Sequence, residues 1–451
     1  MNCGVSWPRP GAAERLVVRA SLSMKHKLRI TLAGAIGNLL EWYDFGLYGL
    51  LAPLLASKFF PGHDRLASLL GVYGGFAAGF AMRPLGAIVL GHLGDRVGRR
   101  FVLALSVLLM GVSTVAVGLL PTYRTLGVWA PVLLIGVRLF QGFSVGGEFV
   151  DSVTYLVEAA PQNRRGLAGS VANFGSTAGM LLAAGVAAAV TTIADSATLT
   201  DWAWRTPFLL GGVIASAAYI LRRHLPETEY GPTEKTVTKT EAPLRRAIRE
   251  QPRIMLAALL FTSGYGIVDY LTMVLLPTYA HEFGGIAEHL ALRINTVGQA
   301  LALLVVPLSG WLSDRAWTRR AALLAAFAAE AVFSWEAFRI VGSQGAAGLW
   351  LSQLLFAFLL ALVMGVGPAM LAEQFPAGYR VSAHAVSFNI GIGIAGGTAP
   401  MIATALIEVT GSAMAAAAYL IFAAILALIG VLMLRDRTRE EMNAADDQPA
   451  S

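Results

Sequence analysis

The sequence predicts an all-α membrane protein with twelve transmembrane helices in two six-helix, pseudo-symmetric bundles. Three observations predict it: an apolar composition, the number of long apolar segments, and an internal repeat. Of 451 residues, 56% are hydrophobic and only 14% are charged, and the mean hydropathy is +0.62. A soluble protein carries about a quarter charged residues, so we expect lipid to surround most of this chain.

The apolar segments are long enough to cross a bilayer, which takes about 20 residues each. They lie at 30–57, 67–91, 101–121, 128–158, 166–194, 204–222, 254–281, 291–313, 321–341, 346–372, 381–408 and 412–434. The ninth and tenth have the weakest boundaries because polar residues, among them Glu330, Glu336 and Arg339, interrupt the hydropathy. We assign no role to Glu330 from the sequence.

Polar segments divide the chain into the predicted domains. These are a disordered N-terminal tail or misassigned start (1–24, with Met24 as the alternative start), an N-terminal bundle (25–224), a cytoplasmic central loop (225–252), a C-terminal bundle (253–434) and a short cytoplasmic tail (435–451). Residues 1–24 lack an apolar core of signal-peptide length. The central loop is rich in Thr, Glu, Lys and Pro, so we expect it to be mostly solvated, with an amphipathic piece near Leu244–Glu250.

The basic residues indicate the orientation. With twelve alternating spans, one side receives the basic loops near Arg96, Arg164, Arg245, Arg319 and Arg435. The other side receives only Lys58, Arg65, Arg124, Arg205, Arg293 and Arg339. The positive-inside rule therefore places both termini and the central loop in the cytoplasm. The net charge of +6 is explained by orientation, and we expect no nucleic-acid partner.

The two halves repeat one another at equivalent loops. Gly91-His-Leu-Gly-Asp95-Arg96 follows the second span, and Gly310-Trp-Leu-Ser-Asp314-Arg315 follows the eighth. A second pair, Glu158-x-x-Pro161-x-x-x-Arg165 and Glu373-x-x-Pro376-x-x-x-Arg380, follows the fourth and tenth spans. Parallel six-span repeats related by an axis along the membrane normal are typical of one transporter architecture.

The loop Gly91–Arg100 reads GHLGDRVGRR and resembles the signature G-x-x-x-D-R-x-G-R-R of the major facilitator superfamily at every position. The second copy departs from it, with an extra residue between Asp314 and Arg319 and no glycine after Arg315. The resemblance implies alternating access, with a cytoplasmic gate whose charge pairs form and break. Its expected members are Gly91, Asp95, Arg96, Gly98, Arg99, Arg100, Glu158, Arg165, Asp314, Arg315, Glu373 and Arg380.

Four further stretches resemble the metabolite–proton symporter family, which includes α-ketoglutarate, citrate, shikimate and proline/betaine permeases. They begin at Gly37 (GNLLEWYDFGLY), Arg83 (RPLG), Arg138 (RLFQGFSVGGE) and Gly396 (GGTAP). The resemblance covers nearly all of Lys25–Arg435 and is stronger in the first half. It implies proton-driven import of a small metabolite.

Ionisable residues within the spans point to a polar central site. Glu41 and Asp44 lie on one face of the first helix, and Arg138 and Glu148 on one stripe of the fourth. Such groups normally face a cavity or a partner in a membrane helix. With Asp269 of the seventh helix, these residues are our candidates for substrate binding and proton coupling. A structural Arg138–Glu148 ion pair and hydrogen bonding of the two acids within the N-terminal bundle remain alternatives.

Further polar side chains are candidate substrate ligands. They are Asn38, Tyr43, Tyr48, Arg83, Gln141, Asn173, Tyr270 and Asn389. Arg83 can be interpreted equally well as a substrate ligand or as a structural anchor. Asn173 and Asn389, in the fifth and eleventh helices, are interpreted as polar ligands related by the repeat. The sequence contains no metal spacing, phosphate loop or catalytic cluster, so we predict no enzyme activity, no catalytic residues, no metal and no cofactor.

We therefore predict a secondary transporter that imports a small mono-, di- or tricarboxylate with protons across a bacterial-type inner (plasma) membrane. We expect a multi-pass monomer whose partners are substrate, protons and membrane lipid. A proton-coupled importer of a zwitterion such as proline or betaine is the alternative, disfavoured by a tail after Leu434 too short for a coiled coil. A drug–proton antiporter is less favoured. Such exporters resemble one another in a Gly-Pro motif in the fifth helix, and the fifth helix here contains no proline.

Overall fold

A computed structural model describes residues 24–97, 99–145, 148–222, 243–440 and 442, and nearly all of them are helical. We number the spans in chain order. In the N-terminal bundle, span 1 is Met24–Leu50 with Ala52–Phe59, span 2 Arg65–Val97, span 3 Arg99–Leu119, span 4 Trp129–Ser144 with Glu148–Ala159, span 5 Arg165–Ile193 and span 6 Thr206–Arg222. Short helices Tyr123–Leu126 and Ser196–Asp201 lie in the loops before spans 4 and 6.

The C-terminal bundle follows the predicted amphipathic piece, which is the helix Pro243–Glu250. Span 7 is Pro252–Tyr270 with Leu276–Gly284, span 8 Glu288–Arg315, span 9 Arg319–Gln344, span 10 Ala346–Ala372, span 11 Arg380–Phe388 with Gly397–Thr410, and span 12 Ala415–Met433. In the part of the chain that the structure describes, eight helical segments are long and apolar enough to cross a membrane, and they belong to spans 2, 5 and 7 to 12. The apolar helices Ala104–Leu119 and Trp129–Ser144 of spans 3 and 4 are shorter.

The boundary between spans 9 and 10, weak in the hydropathy, is a single residue. Gly345 has a φ of +57°, in the region that a residue without a Cβ adopts readily. The two helices can therefore reverse direction almost without a loop. The polar residues that obscure this boundary lie within helix: Glu336 and Arg339 form an exposed ion pair three residues apart.

Spans 7 and 11 are each interrupted by a π-helical segment, Leu271–Leu275 and Asn389–Gly396. The first segment is held by side-chain amides from neighbouring spans. Asn295 donates to the carbonyl oxygen of Met273 at 2.7 Å, and Gln353 donates to that of Thr272 at 3.4 Å. Irregular backbone at membrane depth needs such partners because lipid offers none.

The two bundles face each other mainly through spans 5 and 8 and through spans 2 and 11. Within the N-terminal bundle, spans 2 and 4 cross in very close contact. A Cβ added at Gly142 would lie 1.7 Å from the carbonyl oxygen of Gly79. This crossing brings Arg83 of span 2 and Arg138 of span 4 to the same region of the bundle as span 1.

Candidate functional site

Two ion pairs lie buried at the centre of the N-terminal bundle. Arg83 Nη2 is 2.7 Å from Glu41 Oε1, and Arg138 Nη1 is 2.9 Å from Asp44 Oδ2. Both acids come from span 1, and the arginines come from spans 2 and 4. The side chains of Arg138 and Asp44 are completely inaccessible to solvent. The pairing explains how four charged groups are tolerated at this depth, since each neutralises another.

Aromatic rings surround both guanidinium groups. The Arg138 guanidinium lies 4.1 Å from the centre of the Tyr48 ring and 5.1 Å from that of Phe45. Arg83 lies 5.7 Å from the same Phe45 ring and 5.4 Å from Phe80. Phe45 therefore contacts both cations. Cation–π contacts add stabilisation where water is excluded, and they restrict how the two arginines can turn.

Among the described residues, only one edge of the Arg138 guanidinium has hydrogen-bond partners. Nη1 donates to Asp44 and to Gln141 Oε1, and Gln141 in turn donates to Thr114 at 3.1 Å. Nε and Nη2 have no hydrogen-bond partner among the described residues. Nε and Nη2 form the planar fork that binds a carboxylate through two parallel hydrogen bonds. Buried donors without a partner are unfavourable, so this edge is suited to an anionic ligand.

The C-terminal bundle contributes an aromatic residue to the same region. The Tyr270 ring stacks against Trp42 at 6.3 Å and meets Phe76 and Phe80 edge-on at 5.5 and 5.3 Å. Asp269 precedes it and is buried. The aromatic contacts thus join the two bundles beside the paired arginines.

Several predicted substrate ligands donate their hydrogen bonds to backbone carbonyl oxygens. Tyr43 donates to the carbonyl oxygen of Pro207 in span 6 at 2.6 Å, and Asn389 donates to that of Ala385 in its own helix. Asn173 donates to the carbonyl oxygen of Met364 at 2.6 Å, so it joins spans 5 and 10. Tyr48 presents its ring to Arg138 while its hydroxyl donates to Val72. Asn38 is buried in span 1, and its Oδ1 has no hydrogen-bond partner in the described ranges.

Among the described side chains, the acid that pairs with Arg138 is Asp44 of span 1. Glu148 begins the helix Glu148–Ala159, and its side chain lies outside the described residues. Glu330 is completely buried in span 9, and neither carboxylate oxygen has a hydrogen-bond partner in the part of the chain that is described.

A second polar cluster joins the bundles at the end that carries the predicted gate, which we call the basic face. Asp314 accepts hydrogen bonds from the backbone N–H groups of Gly166 and Leu167 at 2.8 and 2.9 Å. These groups belong to the first turn of span 5, where a carboxylate is favoured by the helix dipole. Arg319 donates at 2.9 Å to Asp314 Oδ1, the oxygen that also accepts from Gly166. The acid of the C-terminal repeat thus caps a helix of the N-terminal bundle.

Two more acids complete this cluster. Glu373 lies 3.3 Å from Arg319 and 3.6 Å from Arg165, and Glu158 pairs with Arg380. Burial raises the pKa of Glu373 to about 7, although Arg319 and Arg165 oppose the shift. At the other end of the molecule Arg65 donates to Glu282 at 2.8 Å. The described bundles therefore touch at both ends.

Among the gate residues whose side chains are described, Arg315 is the one that lies apart from the cluster. Arg315 lies over the Trp311 ring at 4.6 Å, and Arg319 makes the ion pairs expected of it. With the extra residue of the second motif copy taken into account, Arg319 corresponds to Arg99 of the first copy, and it begins span 9. The same irregularity in the sequence could have identified Arg319. Gly98 and the side chains of Asp95, Arg96, Arg99 and Arg100 lie outside the described residues, and Gly91 lies in the helix Arg65–Val97.

This chain is similar to known proteins in sequence and in architecture. The profile described as "Sugar (and other) transporter" matches residues 30–253, and "Major Facilitator Superfamily" matches 259–450. The proline/betaine transporter of Escherichia coli (strain K12) is 33% identical over 92% of this chain and 84% of its own length. The citrate-proton symporter of Klebsiella pneumoniae is 32% identical over 96% and 99%, and the shikimate transporter of E. coli (strain K12) 30% over 93% and 97%.

Among solved structures, a D-xylose-proton symporter superposes with a TM-score of 0.73 at 19% identity, covering 92% of this chain and 99% of that one. That similarity establishes the fold, and the sequence relatives establish the family. The twelve-helix prediction and the prediction that the chain is not an enzyme are confirmed. The chain belongs to the major facilitator superfamily of membrane transporters, together with the metabolite symporters that it resembles in sequence.

Proposed function

We propose that this transporter imports a small organic acid together with protons, by alternating access across a bacterial inner membrane with both termini in the cytoplasm. The observation that carries the proposal is the Nε and Nη2 edge of Arg138, a buried fork that has no hydrogen-bond partner among the described residues and is suited to a carboxylate. The citrate and shikimate relatives are consistent with an acidic substrate.

Coupling follows from competition for Arg138. While Asp44 is ionised, it neutralises the arginine at 2.9 Å. A proton on Asp44 removes that charge and leaves the guanidinium free to balance a substrate carboxylate. Proton and substrate are then favoured together, which is what symport requires. The Glu41–Arg83 pair and Asp269 are further proton sites within this proposal.

A zwitterionic substrate such as proline or betaine is the second candidate. It is favoured by the cluster of the Trp42, Phe76, Phe80 and Tyr270 rings and by buried Asp269, which precedes Tyr270 in the chain. Aromatic faces and an acid stabilise a cationic amino group, while Arg138 would take the carboxylate. The proline/betaine relatives are consistent with it.

Uptake into proteoliposomes tests both. Vesicles at internal pH 7.5 are diluted into pH 6.0 with labelled citrate, α-ketoglutarate, shikimate, proline or betaine, with and without a protonophore. We expect accumulation of one acid that the protonophore abolishes and that Arg138→Gln reduces at least tenfold. Glu336→Gln, on the exposed surface of span 9, is the control. Accumulation of proline or betaine alone would favour the second candidate, and uptake indifferent to the gradient would contradict symport.

A further inference from the structure

The segment that follows span 12 runs across the basic face from one bundle to the other. It comprises Arg435–Glu440 and Met442, and we call it the C-terminal strap. We propose that the strap is a latch: it holds the basic face closed and has to leave the N-terminal bundle before the transporter opens there.

The first part of the strap is fixed to the C-terminal bundle. Gln374 Nε2 donates to the carbonyl oxygen of Arg435 at 2.8 Å. The backbone N–H of Arg320 donates to Asp436 at 3.2 Å, and that of Arg319 to the Thr438 hydroxyl at 3.4 Å. Thr438 also donates to Asp436 at 2.6 Å, which forms a local turn. These contacts lie within one bundle, so bundle movement need not disturb them.

The second part of the strap is bound to the N-terminal bundle. Gln162 Nε2 donates to the carbonyl oxygen of Arg439 at 2.6 Å, and Arg165 Nη1 donates to that of Glu440 at 2.9 Å. Beyond them, Arg380 of the C-terminal bundle donates to the carbonyl oxygen of Met442 at 3.2 Å, and the Met442 side chain packs against the apolar core. The strap therefore bridges the bundles and is anchored on both sides of the crossing.

The strap uses the same arginines as the gate. Arg165 reaches both the strap and Glu373, and Arg380 reaches both the strap and Glu158. Opening at the basic face separates Gln162 and Arg165 from Arg319 and Glu373. The hydrogen bonds to Arg439 and Glu440 must break in that movement. The strap therefore stabilises the closed state and does not stabilise a state in which the bundles are apart at the basic face.

The acceptors on the strap are main-chain carbonyl oxygens, so the test can separate the effect of the backbone from that of the side chains. Loss of the Arg439 or Glu440 side chain should leave the latch intact, whereas loss of the backbone at 439–442 should release it. A chain ending at Thr438 is therefore compared with a chain ending at Met442. Both lose the residues after 442, and only the first loses the contacts with Gln162 and Arg165.

The readout is the accessibility of the closed interface. Ser170 of span 5 is completely buried and lies against Gly310 of span 8. In a Cys3→Ser background, Ser170→Cys is labelled with an impermeant maleimide from the basic face. We expect the chain ending at Thr438 to be labelled faster by on the order of tenfold, the combined effect of losing the two hydrogen bonds that join the strap to the N-terminal bundle. The chain ending at Met442 should be labelled at the full-length rate.

A full-length pair guards against misfolding of the shortened chain. Gln162→Ala removes one donor on an exposed loop and should increase the labelling rate, by less than the truncation does. Arg439→Ala keeps the carbonyl acceptor and should not. Equal rates for the two shortened chains, or an effect of Arg439→Ala as large as that of Gln162→Ala, would overturn the latch. Because labelling needs no substrate, this result is independent of the transport assay.

Discussion

Arg138 and Asp44 form an ion pair of 2.9 Å in which both side chains are completely buried. The pair joins span 4 to span 1, while Arg83 and Glu41 join span 2 to span 1 at 2.7 Å. A charge at the centre of a membrane helix is unfavourable by about 2.5–3.5 kcal/mol even on the mildest scale. These four described side chains carry two positive and two negative charges when both acids are ionised. In the proposed mechanism, a proton added to either acid leaves a net positive charge that an anionic substrate can neutralise.

Replacement of Asp44 by Asn should uncouple transport from the proton gradient. The amide cannot carry the negative charge and resembles the protonated acid, so Arg138 is available to substrate whatever the pH. We expect gradient-driven accumulation in proteoliposomes to fall at least tenfold, while exchange of labelled for unlabelled substrate continues. Glu336→Gln should match wild type in both assays. Full accumulation by Asp44→Asn would transfer the coupling role to another acid, with Glu41 and Asp269 next to be tested.

Replacement of Asp314 by Asn should loosen the basic face. Asp314 accepts from Gly166, Leu167 and Arg319 at 2.8–2.9 Å. Asn keeps one acceptor oxygen and loses the charge, and hydrogen bonds to charged groups contribute about 1.5–3 kcal/mol each. Labelling of Ser170→Cys from the basic face should therefore accelerate at least tenfold. Arg315→Gln is the matched control, because Arg315 lies over Trp311. Similar effects of both variants would contradict the assignment.

The gate should also respond to pH through Glu373. Burial raises its pKa to about 7, whereas a solvated glutamate has a pKa near 4.3. If opening hydrates this carboxyl, the closed state binds the proton more tightly than the open state does. Lowering the pH from 7 towards 4.5 therefore favours closure, by at most about tenfold per pH unit for one proton. The ion pairs with Arg165 and Arg319 weaken over the same range, but the relief from desolvation is larger.

The measurement is the labelling rate of Ser170→Cys between pH 5.5 and 8, normalised to a free thiol because maleimide chemistry itself depends on pH. The normalised rate should rise with pH in the wild-type gate. Glu373→Gln imitates the protonated form, so its rate should stay low and nearly independent of pH. A normalised rate that falls as the pH rises would show that the ion pairs dominate over desolvation.

Sequence reasoning located the spans and the ionisable residues but not their partners. Helical spacing places Glu41 and Asp44 on one face, yet which arginine each meets depends on how spans 1, 2 and 4 cross. The stripe on span 4 offered Glu148 as one alternative partner of Arg138, and the Glu148 side chain lies outside the described residues. The pairing of Arg138 with Asp44 is a contact between helices, which spacing along one helix cannot show. Arg83, interpretable as an anchor or a ligand, turns out to hold Glu41.

For the gate, the internal repeat predicted most of the described residues but missed one. The repeat identified Asp314, Glu158, Glu373, Arg165 and Arg380 as a set, because two copies at equivalent loops imply equivalent places in the fold. It did not identify Arg319, because the inserted residue moves that arginine one position out of register with Arg99 of the first copy. The strap has no sequence signature at all: its bonds to Gln162 and Arg165 use backbone carbonyl oxygens, which every residue has.

The crossing of spans 2 and 4 that brings Arg83 and Arg138 to span 1 depends on Gly142. A Cβ there would lie 1.7 Å from the carbonyl oxygen of Gly79 and 2.6 Å from its carbonyl carbon. Backbone cannot yield as a flexible side chain can, so Gly142→Ala must push the helices apart. Overpacking of this kind typically costs about 1–3 kcal/mol, and we expect a lower midpoint of thermal unfolding in detergent.

Gly136 supplies the control on the same helix, because an added Cβ there meets nothing within 4 Å. Gly136→Ala should preserve or raise the midpoint, since alanine is favoured over glycine within a helix by roughly 0.5–1 kcal/mol. The difference between the two variants isolates close packing from helix propensity. Gly142→Ala should also reduce substrate uptake, because separation of spans 2 and 4 moves Arg138 relative to Asp44. A variant with normal stability and uptake would mean that the crossing tolerates a wider spacing than this contact implies.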